Sequence, residues 1–162
     1  MTQNTLRQAK RLADYQAPDF TITDVELWFE LEPATTLVTA RYQLKSQRKG
    51  ATDLVLDGQQ MELLSVKLNG EPLTSAQYQL TDDQLRIGQM PAQAELELQV
   101  RLNPAANTAL EGLYLSDGAF CTQCEAEGFR RICYYLDRPD VMARFTTHII
   151  ANQQRYPALL SN

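Results

Sequence analysis

Between Cys121 and Phe145 the run CTQCEAEGFRRICYYLDRPDVMARF breaks the alternating apolar pattern upstream and gathers the side chains best able to do chemistry. Gln123 and Glu125 project from one face if this segment is extended, because successive strand side chains alternate. A side-chain carbonyl beside a carboxylate is an acceptor-rich corner. It suits a ligand ammonium, which carries three donors and no acceptor, and would separate a free α-amine from a neutral peptide nitrogen. The competing reading is a wet strand on which Gln123, Glu125 and the nearby Glu127 are simply solvated.

Cys121 and Cys124 form a C-x-x-C, with Cys133 as the third cysteine. A structural zinc site wants four ligands, and the remaining thiol or imidazole candidates are only Cys133 and the single histidine, His148. A redox pair belongs at a strand-to-helix junction, where the helix N-terminus depresses a thiol pKa, and this chain reads as strands there. Reduced, structural thiols are the expectation. The segment Asp137 to Asp140, DRPD, points to capping of a short helix and local ion pairing. A catalytic carboxylate pair would need a nucleophile or second acid that nothing nearby supplies. A lone histidine lacks the partner that orients a base, so His148 is expected to pack. Trp28, among Leu27, Phe29 and Leu31, belongs to a hairpin rather than to a base-stacking surface.

The elements that must carry these groups are mostly strands. Phe20 and Ile22 lie on one phase and Val25, Leu27, Phe29 and Leu31 on the other, which places a bulge near Asp24. Glu32-Pro33-Ala34 turns the chain, and Val38, Ala40, Tyr42 and Leu44 restore the period of two, completing a hairpin. Further strands are expected over 53–56, 61–68, 77–80, 85–87, 94–102 and 145–150, with another over 153–160. Asn69-Gly70 is a hairpin signal, and AELELQVRL sends Ala94, Leu96, Leu98, Val100 and Leu102 inward. Asn103 to Ala119 reads as turns, Arg138-Pro139-Asp140 opens one short helix over 139–144, and 1–18 is a polar leader. The expected class is all-β, a β-sandwich or curved sheets of mostly antiparallel strands.

At 162 residues the chain is long enough for one ordinary core. A net charge of -5 with scattered Lys and Arg argues against nucleic-acid partners. No apolar run approaches the ~20 residues of a membrane span, and the polar start lacks the apolar core of a signal peptide, so a cytoplasmic address is expected.

Three stretches carry a family resemblance: APDFTITDVELWFEL, the run from NTALEGLYLSDGAF through FTTHIIA, and the closing YPALLSN. They resemble the N-terminal domain of the bacterial aminopeptidase N family, which are zinc-dependent metallopeptidases. The resemblance covers residues 19–162 and implies an all-β, saddle-shaped domain leaning over a thermolysin-like catalytic domain of the same polypeptide. It implies that Thr122, Gln123, Cys124 and Glu125 form the family's T-Q-x-E motif, with Gln123 and Glu125 binding the free α-amine of peptide N-termini. The family's zinc helix, H-E-x-x-H, and its G-A-M-E-N segment do not occur in this sequence. Zinc ligands and hydrolysis are therefore expected outside this chain, which alone would be inactive. In many relatives a proline follows the Glu and Ala-Arg comes later; here Ala126 follows, and Gly128-Phe129-Arg130 leaves the role of Arg130 open. The alternative class is a noncatalytic β-sandwich interaction or docking module.

Overall fold

The computed structural model describes residues 11–161. Of the polar leader, residues 1–10 lie outside the described residues, and Leu12–Asp14 form a single 3-10 turn. The strands are β1 (Phe20–Glu30), β2 (Thr36–Ser46), β3 (Leu54–Asp57), β4 (Glu62–Leu68), β5 (Glu71–Pro72), β6 (Tyr78–Leu80), β7 (Gln84–Ile87), β8 (Gln93–Leu102), β9 (Gly112–Ser116), β10 (Ala119–Gln123) and β11 (Arg144–Ile150). A six-stranded sheet runs in the order β11-β1-β2-β8-β4-β5; β3-β7-β6 and β10-β9 make two smaller sheets. β1 and β11 pair in parallel and the other strand pairs are antiparallel. The fold is all-β.

Sequence alternation accounts for the large sheet. The β1–β2 register slips between Ile22 and Asp24, leaving Thr23 unpaired, so both apolar phases of β1 reach the same core. In β8, Leu96, Leu98 and Val100 are each 0% exposed. On the opposite face Glu97 lies in register with Arg41 and Lys67 and accepts from both, at 2.9 and 2.8 Å. Those two cations hold its carboxyl below the usual range, Lys67 first. Asn69 and Gly70 both adopt positive φ, +52° and +84°, the geometry of a two-residue hairpin between β4 and β5.

Tyr42, fully buried, ties the sheet to the chain ahead of β11: its hydroxyl donates to the Tyr134 carbonyl at 2.8 Å. Tyr42→Phe keeps the ring and strands that carbonyl without its donor, an expected loss of about 1–3 kcal/mol. Urea unfolding checks it; a change under about 0.5 kcal/mol would mean that another donor reaches the carbonyl.

Three expectations require correction. The helix over 139–144 does not form: Val141 N–H donates to Arg138 O in one turn at 3.2 Å, and β11 begins at Arg144. The local ion pairing expected of DRPD does form: Asp140 receives the Arg138 guanidinium at 2.9 and 2.7 Å, and also the Tyr15 hydroxyl. Residues 153–160 form no strand, because the Asn152 side chain caps Gln154 and Arg155 N–H groups and turns the chain. Within 103–119, read as turns, the structure has β9 and the start of β10, joined at Asp117 and Gly118 with φ of +48° and +80°.

Candidate functional site

The β9–β10 hairpin presents the candidate residues. Its open end pairs Gln123 with Gly112, whose φ is +69°. A Cβ on Gly112 would lie 2.5 Å from Arg131 Cβ, so the hairpin base packs hard against the 3-10 turn Phe129–Arg131. β10 stops at Gln123, and the chain reverses over 124–128, closed by Gly128 N–H donating to Cys124 O at 2.8 Å. Gly128 is buried; a Cβ there would fall 2.6 Å from Gln123 O and 3.1 Å from Cys124 Cα.

This reversal brings the two expected residues together. The Gln123 amide donates to Glu125 Oε2 at 2.5 Å and to Glu125 O at 3.3 Å. Gln123 Oε1 and Glu125 Oε1 receive no hydrogen bond from the described residues, leaving two acceptors of one corner available. Glu127 is drawn aside, with Oε2 3.4 Å from Arg130 Nη2. Arg130 in turn grips Asp137, the buried acid of DRPD, with Nε 2.9 Å from Oδ2. Sequence reading missed this tie, since it placed Asp137 at the cap of a helix.

An apolar groove of about 510 Å³ lies beside the hairpin, lined by Phe29, Phe120, Phe129, Phe145, Ile149 and Tyr156, among others. From β10 and the following turn it takes Thr122 and Cys124. Alternation puts Gln123 on the other face, so groove and acceptor corner are separate features. His148 also faces away from the groove, which takes its neighbours Thr147 and Ile149. Its ring stacks on Trp28 with centroids 5.0 Å apart, and Nε2 sits 3.0 Å from Glu26 Oε1.

Residues 20–162 match the family model of the Peptidase M1 N-terminal domain. The chain belongs to this family. It is 52% identical over its whole length to aminopeptidase N of Escherichia coli strain K12, of which it spans 18%. In fold it is similar to Legionella pneumophila aminopeptidase A, solved in complex with aspartic acid: TM-score 0.88 and 38% identity over 94% of this chain and 18% of that one. A zinc metallopeptidase of Deinococcus radiodurans shares the fold, with TM-score 0.69 at 15% identity over 82% of this chain and 32% of that one.

The thiols and acids among the described residues of this M1 N-terminal domain do not fit a zinc ion. Among the described residues no group of three or more His, Cys, Asp or Glu converges as ligands. The sole histidine is engaged by Trp28 and Glu26, and burial pushes the Cys133 thiol up to about 12, far from the thiolate a metal takes. Burial, then the charges of Asp137 and Glu125, also raises the Cys124 thiol, opposite to what a redox nucleophile needs.

Cys133 gives the M1 domain a pH signature. Its folded pKa lies above the ordinary 9.0, so its contribution is intact below pH 9 and is lost as pH rises toward 12. Tyr135, raised from 10.0 to about 12 by burial and then by Asp137, acts in the same sense. Urea unfolding is expected to show a loss of about 2 kcal/mol from Cys133 between about pH 8 and 10.5, at roughly 1.4 kcal/mol per unit above pH 9. Cys133→Ala should flatten that slope, and an unchanged slope would place the ionisation elsewhere.

Proposed function

We propose that this domain serves a zinc-dependent aminopeptidase, holding the free α-amine of a peptide at the active-site rim through Gln123 and Glu125. The observation that carries the reading is the acceptor corner: Gln123 spends its amide on Glu125, leaving an oxygen of each for the donors of an ammonium. An exopeptidase must count one residue from the chain end, and anchoring the ammonium fixes the first peptide carbonyl at a set distance. Glu125 is then a ruler rather than a catalyst. In this reading the zinc and its chemistry fall to a thermolysin-like catalytic domain in the same polypeptide, in keeping with the lack of a converging ligand group among the described residues.

The apolar groove, with Phe145 48% and Leu160 92% exposed, supports a packing partner. It suits a noncatalytic docking module as well as a peptidase domain. The parent reading frame separates the two: H-E-x-x-H and G-A-M-E-N beyond Asn162 support the peptidase, and a continuation with neither supports the docking module. The isolated chain is expected to leave an aminoacyl chromogen intact with or without added zinc. Chelator-sensitive turnover by the pure chain would overturn the division of labour.

A further inference from the structure

We infer that Asp137 and Arg130 are the positioning pair that sets the acceptor corner, an inference that rests on the amine-binding reading of Gln123 and Glu125. Asp137 Oδ2 accepts from two groups of Arg130, the backbone N–H at 3.1 Å and Nε at 2.9 Å. Arg130 Nη2 returns a bond to Asp137 O at 3.1 Å. Both side chains are largely withdrawn from water, 19% exposed for Arg130 and 10% for Asp137, so these charge-assisted bonds are weakly screened. A third tie, Gln59 N–H to Arg130 O at 2.8 Å, fixes the same residue to the chain following β3.

From Arg130 the constraint passes along the backbone to the corner. Arg130 sits in the 3-10 turn capped by Gly128, closed by Arg131 N–H to Gly128 O at 3.1 Å. Gly128 backs directly onto Gln123 O and Cys124 Cα and donates to Cys124 O. A carboxylate two steps removed from the amine thereby holds the backbone from which Gln123 and Glu125 project. The guanidinium has a second task. Its Nη2 draws Glu127 to 3.4 Å, which removes a competing carboxylate two residues from Glu125. Neither Asp137 nor Arg130 bonds to the Gln123 or Glu125 side chain, so their part is positioning.

A double-mutant cycle in the full-length enzyme tests this, read by kcat and KM on an aminoacyl chromogen with thermal midpoints alongside. Asp137→Asn is expected to lower kcat/KM about tenfold, mostly through KM, because a displaced ammonium anchor weakens ground state and transition state together. In a Glu125→Gln background the same change is expected to cost less than about twofold, since the anchor it positions is already gone. An equal factor in both backgrounds would reveal general destabilisation and overturn the inference. So would a loss below about twofold beside an intact Glu125, with Glu125→Gln still strongly impaired. A silent Glu125→Gln would instead sink the amine-binding reading, and this inference with it. If Asp137→Asn fails to fold, Arg130→Lys enters the same cycle with the same expected pattern, because lysine keeps the charge but not the Nε and Nη2 fork.

Discussion

Glu125→Ala in the full-length enzyme is expected to lower kcat/KM roughly 30- to 1,000-fold, or ~2–4 kcal/mol. The loss has two sources. A carboxylate holding an ammonium in a partly desolvated site makes a charge-assisted bond about twice as strong as a neutral one. Removing it also frees the Gln123 amide, which now donates to Glu125 Oε2 and would turn a donor toward an incoming cation. Folding should be nearly indifferent, since Glu125 is exposed and its side chain bonds only Gln123 among the described residues. An aminoacyl-chromogen assay beside a thermal melt checks both halves. A loss under about threefold would reject the ruler role, because it lies below the ~1 kcal/mol of even a neutral hydrogen bond.

Gly128→Ala should do comparable damage from a residue with no functional group. Its φ of -91° and ψ of -10° are open to alanine, so the effect is steric rather than conformational. The added methyl would meet Gln123 O at 2.6 Å and Cys124 Cα at 3.1 Å, and both are backbone atoms with no rotamer to give. The turn must move. A shift of about 1 Å in a positioning element can cost on the order of 100-fold in rate, and overpacking costs about 1–3 kcal/mol of stability. Gly88→Ala is the control: an added Cβ there meets nothing closer than Asp53 Oδ1 at 3.8 Å, so activity and midpoint should hold. Native activity in Gly128→Ala would show that the turn tolerates displacement and that the corner is built more loosely.

How far the site could be read from the chain depends on the range of each interaction. The sequence singles out Gln123 and Glu125 as same-face neighbours of an extended segment, but β10 ends at Gln123, and it is the reversal over 124–128 that brings their side chains together. The hairpin that presents them was partly hidden. Asp117-Gly118 between Leu115 and Phe120 is the usual mark of a tight turn, yet it lies in a stretch of small and turn-forming residues that masked it. The helix over 139–144 failed because DRPD matches a helix start on local chemistry alone. Other partners outbid the cap: Arg138 beside it and the distant Tyr15 claim Asp140, while Arg130 claims Asp137.

Sequence by itself determined the inward set of the large sheet, the bulge near Asp24 and the Asn69-Gly70 hairpin. Each follows from backbone geometry within a few residues, where alternation and allowed φ leave few choices. Tertiary structure alone decided that β11 joins β1 in parallel, with Asp24 opposite Arg144, and that Asp137 grips Arg130 across the Phe129–Arg131 turn. Alternation reports which face of a strand is buried and says nothing about which strand it meets. A carboxylate withdrawn from water takes the guanidinium that the folded chain brings to it, and no spacing rule encodes that choice.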